Sequence, residues 1–378
     1  MTTRAFDVGG SVASVQRERL AKAAAGAAES GLDALLITPS KDYTYLLGYA
    51  APAMERLTCL VVPADGPPVL VVPRLEEPLA RHHLGDLAEE LQIVPWEETD
   101  DPIRLVQRVV GSAVRVGVQD QMWARFALRL EAALDPAQVV AAGSTISALR
   151  RVKEPHEVDL LRAAATAADE AMLAITAERL SGRSERDVAR RVRGLLVDAG
   201  HDEAGFAIVA SGPNSASPHH TPGERTIESG DALVLDIGGA RDGYSSDTSR
   251  TAFVGEPPAD FVELYAVLRD AQAAACAAVR PGVPAAEVDA AARDLITRAG
   301  YGDAFVHRTG HGIGLETHEE PYIVASNTEP LVVGNAFSVE PGIYLRDRWG
   351  ARIEDIVVCT ESGGERLNTT STELYLVE

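Results

Sequence analysis

The sequence predicts two domains, an α/β amino-terminal domain over residues 1–148 and an α+β carboxy-terminal domain over residues 149–378 built from a duplicated helix–hairpin unit. Three observations lead there. A chain of 378 residues is longer than one hydrophobic core usually supports. Short apolar segments alternate with helical stretches up to about Leu149, the pattern of a sheet covered by helices. Beyond that point two stretches offset by 100 residues align, and a hairpin pattern carrying a pair of acids follows each.

In the first domain, Val15 to Ser30 reads as an Ala-rich helix that stops at Gly31. DALLITP is a buried strand, CLVVPADGPPVLVVP two strands around a Gly-Pro turn, and RVGVQD a further short strand. No grouping of histidines with carboxylates marks a site in this half. The second domain starts with a long helix near Glu154-Pro155, where proline suits the first turn. In the repeat, SGRSERDVARRVRGLLVDAG aligns with RPGVPAAEVDAAARDLITRAG. Gly182, Val188, Leu195, Ala199 and Gly200 match Gly282, Val288, Leu295, Ala299 and Gly300. Each copy is an amphipathic helix closed by glycine.

Composition excludes several classes. Apolar residues make up 46% of the chain, the balance of a soluble globular protein. The net charge of −21 comes with no basic stripe, so no nucleic-acid partner is expected. No apolar run reaches the roughly 18 residues of a membrane span, so no membrane association is expected. Cys59, Cys276 and Cys359 are too far apart for a metal knuckle and suit a reducing cytoplasm. The start, MTTRAFDVGGSV, lacks the basic-then-apolar pattern of a signal peptide.

The acids carry the chemistry. In ALVLDIGGARDGYSSDTSRTAFV, Asp236 sits inside an apolar strand, where aspartate is depleted. A turn centred between Arg241 and Asp242 puts Asp236 directly opposite Asp247. In AFSVEPGIYLRDRWGARIEDIVV, a turn centred on Asp347 puts Glu340 opposite Glu354. Facing side chains in a sheet have Cβ atoms about 5 Å apart, and like charges there repel. Burying even one unpaired carboxylate costs several kcal/mol. The alternative is a solvated face, or pairing with Arg250 and Arg352. The sharper reading is a divalent metal site, and four carboxylates with one imidazole exceed the needs of one ion, so two bridged ions are expected. The imidazole is His311 in HRTGHGIGLETHEEP, with glycines on both sides; His318 follows seven residues later. His219 and His220 lie in the loop SGPNSASPHHTPGER, and spacing does not choose between them.

The ordered motifs PHH, VLDIGG, SSDTSRT, TGHGIGLETHEEP, VEPGIY and RIEDIV resemble the pita-bread metallopeptidases, which include Xaa-Pro dipeptidases (prolidases), aminopeptidase P and methionine aminopeptidase. The resemblance spans the second domain. The first is similar to the creatinase-type amino-terminal domain, which sets the chain apart from methionine aminopeptidase. It implies the pita-bread fold and two divalent ions, manganese first, with cobalt or zinc as alternatives. It implies that Asp236 chelates one ion, that Asp247 and Glu354 bridge both, and that His311 and Glu340 complete the other. His219, rather than His220, and His318 would position the peptide and stabilise the tetrahedral intermediate. Glu340 would accept the proton, and Thr309 and Arg352 would support the ligands. A homodimer is implied too, with first domains helping to wall the partner's site.

The implied reaction is cleavage before proline in Xaa-Pro dipeptides or short peptides, with aminopeptidase P-like action on longer peptides as the alternative. One position departs from the pattern. Some prolidases carry an arginine four residues after the second histidine, where it can hold the substrate carboxylate; here stands Tyr322. Arg352 or a residue of a partner's first domain would have to substitute. A creatinase-like amidinohydrolase or a non-catalytic member of the fold ranks lower, because either would show an eroded ligand set.

Overall fold

The computed structural model describes residues 12–378. The amino-terminal stretch read for a signal pattern lies outside the described residues, apart from Val12. The chain divides into two compact units, one ending at Arg150 and the other spanning Arg151–Glu378.

The first unit is a six-stranded mixed sheet with helices between its strands. Its elements are α1 (Val12–Glu29), β1 (Ala34–Ile37), α2 (Lys41–Leu47), β2 (Cys59–Pro63), β3 (Val69–Pro73), α3 (Glu77–Leu84), β4 (Gln92–Trp96), α4 (Pro102–Val110), β5 (Arg115–Val118), α5 (Ala124–Leu134), β6 (Gln138–Ala141) and α6 (Gly143–Arg150). The strand order is β4-β3-β2-β1-β5-β6. All four residues of β1 are buried, as expected for a central strand covered on both faces. Its core includes Leu36, Val61, Val71, Val116, Phe126 and Leu130.

The second unit repeats itself. Its first half holds α7 (Pro155–Thr176), α8 (Glu185–Asp198), β7 (Glu203–Ser211), β8 (Ala232–Arg241), β9 (Tyr244–Ser245) and β10 (Thr248–Val254). The second half holds α9 (Ala259–Ala278), α10 (Ala285–Arg298), β11 (Gly310–Gly312), β12 (Glu319–Ile323), β13 (Ala336–Val339), β14 (Gly342–Leu345), β15 (Trp349–Arg352), β16 (Asp355–Thr360), β17 (Gly363–Arg366) and β18 (Tyr375–Val377). Helices α8 and α10 have bounds offset by 100 residues, and Gly200 and Gly300 follow them with φ of 106° and 89°. A positive φ costs glycine nothing, so both copies end at the same chemistry. Two cores form, one around Val192, Leu196 and Leu235 that takes in Val377, the other around Leu268, Ala292 and Phe337 that takes in Ala232 and Phe253 of the first half.

Strand β18 of the second half joins the first half's sheet, pairing in parallel with β10, and a further junction lies beside the acids. Ser249 of β10 makes an isolated antiparallel bridge to Glu354, whose N–H donates to the Ser249 carbonyl at 3.0 Å. Arg250, fully buried, staples that seam. Its Nη1 donates to the carbonyls of Ser249 (2.9 Å) and Glu354 (2.7 Å), and its Nη2 donates to Asp355 Oδ1 (2.6 Å) and Thr370 Oγ1 (2.8 Å). Arg250 is therefore not a partner of the four candidate acids, as one alternative reading of the sequence had it.

Removing one member of a buried ion pair leaves an uncompensated charge, at a cost of about 3 kcal/mol or more. Arg250→Met is expected to lower stability by that amount in urea unfolding of the whole chain. A change below about 1 kcal/mol would show that the seam does not depend on it.

Candidate metal centre

The seam aligns the acids. Asp236 of β8 pairs with Ser249, Ser249 bridges to Glu354, and the register places Glu354 across from Glu340. That last placement follows because Val339 faces Asp355 on one side and Gly342 faces Arg352 on the other, one unbroken register centred on Asp347. Paired residues in a sheet point to the same face, so Asp236, Glu354 and Glu340 emerge side by side. Asp247 lies two residues before Ser249 and so shares its face.

This corrects the first hairpin. Asp236 faces Ser249, not Asp247. The turn is the two-residue pair Asp242-Gly243, with φ of 49° and 79°, so the hairpin centres one residue later than the sequence suggested. The resulting shift of two residues is even, which keeps Asp247 on the cluster's face.

His311 enters from β11. Gly310 and Gly312 flank it because the chain passes too close to others for side chains: a Cβ on Gly310 would collide with the Ser338 carbonyl, and one on Gly312 with that of Glu320. His311 Nε2 stands 3.2 Å from Glu340 Oε1 and 3.6 Å from Asp247 Oδ2. Asp236, Asp247, His311 and Glu354 are all buried. Three overlapping groups form, and in each the candidate ligand atoms lie within 4.8 Å of one another: Asp236, Asp247 and Glu354; His311, Glu340 and Glu354; Asp247, His311 and His318.

Protein groups satisfy only part of this cluster. Arg352 Nη2 donates to Asp236 Oδ2 at 2.6 Å, and Ser249 Oγ donates to Glu354 Oε2 at 2.8 Å. Asp236 Oδ1 and Glu354 Oε1 are buried without any hydrogen-bond partner. Buried carboxylate oxygens are rarely left orphaned, and one guanidinium does not balance four carboxylates. The donor set, oxygen-rich with imidazole, fits divalent cations such as manganese. Burial pushes the Asp247 carboxyl well above its usual value, and the charges of Glu354, Asp236 and Glu340 push further. Glu354 is raised by burial and by Glu340 and Asp236. Burial works on Glu340 in the same direction, but the His311 hydrogen bond and the nearby His311, His307 and Arg352 outweigh it and bring it down to about 2.

These residues line a cavity of about 600 Å³, walled on one side by Phe206, Ile208 and Pro218. His219 and His318 both face it. His318 packs edge-on against His311, ring centres 4.0 Å apart; burial, and after it the neighbouring His311 and Arg308, lower it to about 4. His220 turns away. Its Nε2 bonds Glu185 Oε2 at 2.7 Å, and Glu185 also accepts from Ser211 and Asn214. Thr309 stands behind the cluster: its carbonyl accepts the Glu340 N–H at 2.8 Å, and its hydroxyl donates to Asp289 at 2.7 Å.

Sequence reading missed several members. Ser249 joins two acids, and nothing in SDTSRT marks it. A chain of bonds runs from Arg352 Nη1 to the Tyr344 oxygen (2.9 Å), and from the Tyr344 O–H to His307 Nε2 (2.9 Å), whose Nδ1–H donates to the Arg308 carbonyl (2.8 Å). His307 and Arg308 stand beside the glycine-rich motif, and that adjacency was the available signal.

Comparison with known proteins agrees with this geometry. Residues 159–361 match the Metallopeptidase family M24 and residues 19–152 the Creatinase/Prolidase N-terminal domain, so the chain belongs to the M24 metallopeptidases and is a hydrolase of that class. It is 48% identical over 380 residues to the probable dipeptidase PepE of Mycobacterium tuberculosis, covering 100% of this chain and 99% of the relative. The Xaa-Pro dipeptidase of Pyrococcus furiosus is 32% identical over 360 residues, covering 95% and 99%. The crystal structure of dipeptidase PepE from Mycobacterium ulcerans superposes with a TM-score of 0.93 at 47% identity, covering 98% and 99%.

Raised carboxyls link metal binding to protons. A carboxyl whose folded value lies above its unfolded value holds a proton that the unfolded chain has lost. The metal-free fold therefore loses stability as pH rises out of the ordinary carboxylate range, where Asp247 and Glu354 must ionise. Cations that require both ionised displace those protons. Titration calorimetry with manganese near pH 6, in buffers of different ionisation enthalpy, is expected to report net proton release that shrinks at higher pH. Binding without proton release at any pH would contradict the ligand assignment of these two acids.

Proposed function

We propose that this protein hydrolyses the peptide bond before proline in Xaa-Pro dipeptides or short peptides, with two divalent cations held by Asp236, Asp247, His311, Glu340 and Glu354. The orphaned carboxylate oxygens of Asp236 and Glu354, facing an imidazole inside a peptide-sized cavity, carry this reading. Manganese suits the donor set best, with cobalt and zinc next. Bound there, the cations supply positive charge that acidifies a water and polarises a carbonyl.

The protein's own groups do the rest. Glu340 stands 3.2 Å from His311 Nε2 on the cavity wall, where its carboxylate is placed to accept a proton. His318, brought to about 4, is neutral at ordinary pH and donates a hydrogen bond to the oxygen that gains charge in the transition state, without competing as a cation. His219 lies on the cavity wall beside Pro218 and orients the peptide. Phe206, Ile208 and Pro218 offer an apolar surface to a proline ring, whose nitrogen brings no N–H to satisfy. Tyr322, standing where a carboxylate-binding arginine occurs in some prolidases, is the observation that favours longer Xaa-Pro peptides as the alternative substrate.

A homodimer in the cytoplasm completes the reading. The absence of disulfides among the described cysteines is compatible with a reducing compartment, and no described helix is long and apolar enough to cross a membrane. The dimer rests on the resemblance alone.

A manganese-loaded sample assayed on Xaa-Pro and Xaa-Ala dipeptides is expected to cut the former at least tenfold faster. Equal rates would remove proline specificity. Glu340→Gln and His219→Ala are each expected to lower kcat by about 10²–10⁴-fold, the scale of a positioned acid–base or electrostatic group. His220→Ala is expected to leave turnover within a few-fold and to cost stability instead, since it uncovers the buried Glu185. The reverse order at the two histidines would assign the cavity role to the wrong one.

A further inference from the structure

The clamp for a substrate carboxylate has to come from somewhere other than position 322, and the obvious substitute is already committed. Arg352 spends its donors inside the protein: Nε on Ser249 Oγ (2.8 Å), Nη1 on the Tyr344 oxygen (2.9 Å) and the Pro218 carbonyl (3.2 Å), and Nη2 on Asp236 (2.6 Å). It is buried and locked behind the cluster. Turning it toward a substrate would strip Asp236 of its counter-charge.

A second guanidinium faces the same cavity. Arg308 precedes Thr309, whose N–H donates to the Ile323 carbonyl at 3.0 Å, and that bond brings Arg308 alongside β12. There its guanidinium carbon sits 4.5 Å from the centre of the Tyr322 ring. Among the described residues it makes no side-chain hydrogen bond and no ion pair. An arginine stacked on an aromatic face uses only the face of its plane. Its N–H fork stays free at the edge, and stacking reduces the freedom that a carboxylate would otherwise have to remove. Tyr322 thus does not merely lack a charge; it is the platform for one.

We propose that Arg308, held on the Tyr322 ring, grips the C-terminal carboxylate of the substrate and makes this site a dipeptidase. The inference rests on the Xaa-Pro reading above and narrows it to substrates whose second residue ends the chain. The cavity is otherwise hostile to such an anion, since four carboxylates converge in it. A bidentate guanidinium–carboxylate pair is the geometry that tolerates them and measures peptide length. A longer peptide has an amide at that place and gains nothing from the fork.

The test uses metal-loaded full-length protein with an Xaa-Pro dipeptide and the same dipeptide as its C-terminal amide. The wild-type protein is expected to prefer the free acid at least tenfold in kcat/KM. Arg308→Gln is expected to erase that preference, chiefly through a raised KM for the acid, with metal content unchanged. Arg308→Lys should retain part of the preference, and Tyr322→Leu should weaken it by loosening the platform. If Arg308→Gln keeps the wild-type ratio, the clamp lies elsewhere and the proposal is overturned while dipeptidase action stands. If wild type cuts acid and amide equally, there is no clamp and Arg308 is not one. If metal-loaded wild type cuts neither, the Xaa-Pro reading itself fails and takes this inference with it. Should Arg308→Gln lose metal, the acid-to-amide ratio of Arg308→Lys and Tyr322→Leu decides, and wild-type ratios in both would overturn the proposal.

Discussion

Four carboxylates pressed onto one face of a joined sheet set the terms for everything around them. In water such a group would scatter; in a protein interior each unpaired member costs several kcal/mol. The chain nevertheless aims Asp236, Asp247, Glu340 and Glu354 at a common point and leaves two of their oxygens without a partner. A fold tolerates this only if the strands have no alternative register and if a cation restores the balance. The strand pairing meets the first condition, and the unpartnered oxygens leave the second to a cation. Duplicated hairpins fix the direction of each acid, and the one buried guanidinium at the cluster, Arg352, answers only Asp236.

The seam between the two halves explains why the acids meet. The halves share their apolar cores: Ala232 and Phe253 of the first pack in the core of the second, and Val377 of the second packs in the core of the first. What aligns the acids across that joint is polar: the Ser249–Glu354 bridge, the Thr251–Arg352 hydrogen bonds, and Arg250 reaching across to Asp355. A seam built from directional bonds sets position more finely than apolar contact does, and metal ligands demand that precision. Duplication supplies two hairpins with acids; the polar seam turns two pairs into one cluster.

Much of this was legible from the residues. An aspartate inside ALVLDIGG and glutamates in AFSVEPG and RIED stand out because apolar strands exclude charge, and that exclusion is a local rule. The second hairpin was legible to the residue because its turn is centred on Asp347, so the pairing of Glu340 with Glu354 followed from counting. The first was off by one turn position. RDG offers two adjacent centres, and the choice of Asp242-Gly243 depends on which residues adopt positive φ. The consequence was small for a physical reason: a two-residue slip changes partners but not faces. What stayed hidden was long-range. Arg352 was expected beside the acids, but that it serves Asp236 in particular, that His220 serves Glu185, and that Arg308 lies over the Tyr322 ring depend on contacts between segments 116, 35 and 14 residues apart. No local pattern announces which of several arginines or histidines will be consumed by structure and which left facing the cavity.

The central claim is that this cluster exists to hold two cations at once. Anomalous scattering from crystals soaked in manganese addresses it without reference to any substrate. The account predicts two peaks within the cluster, with Asp247 and Glu354 contacting both, Asp236 on one and His311 with Glu340 on the other. A single peak at saturating manganese, or two peaks that share neither Asp247 nor Glu354, would contradict it.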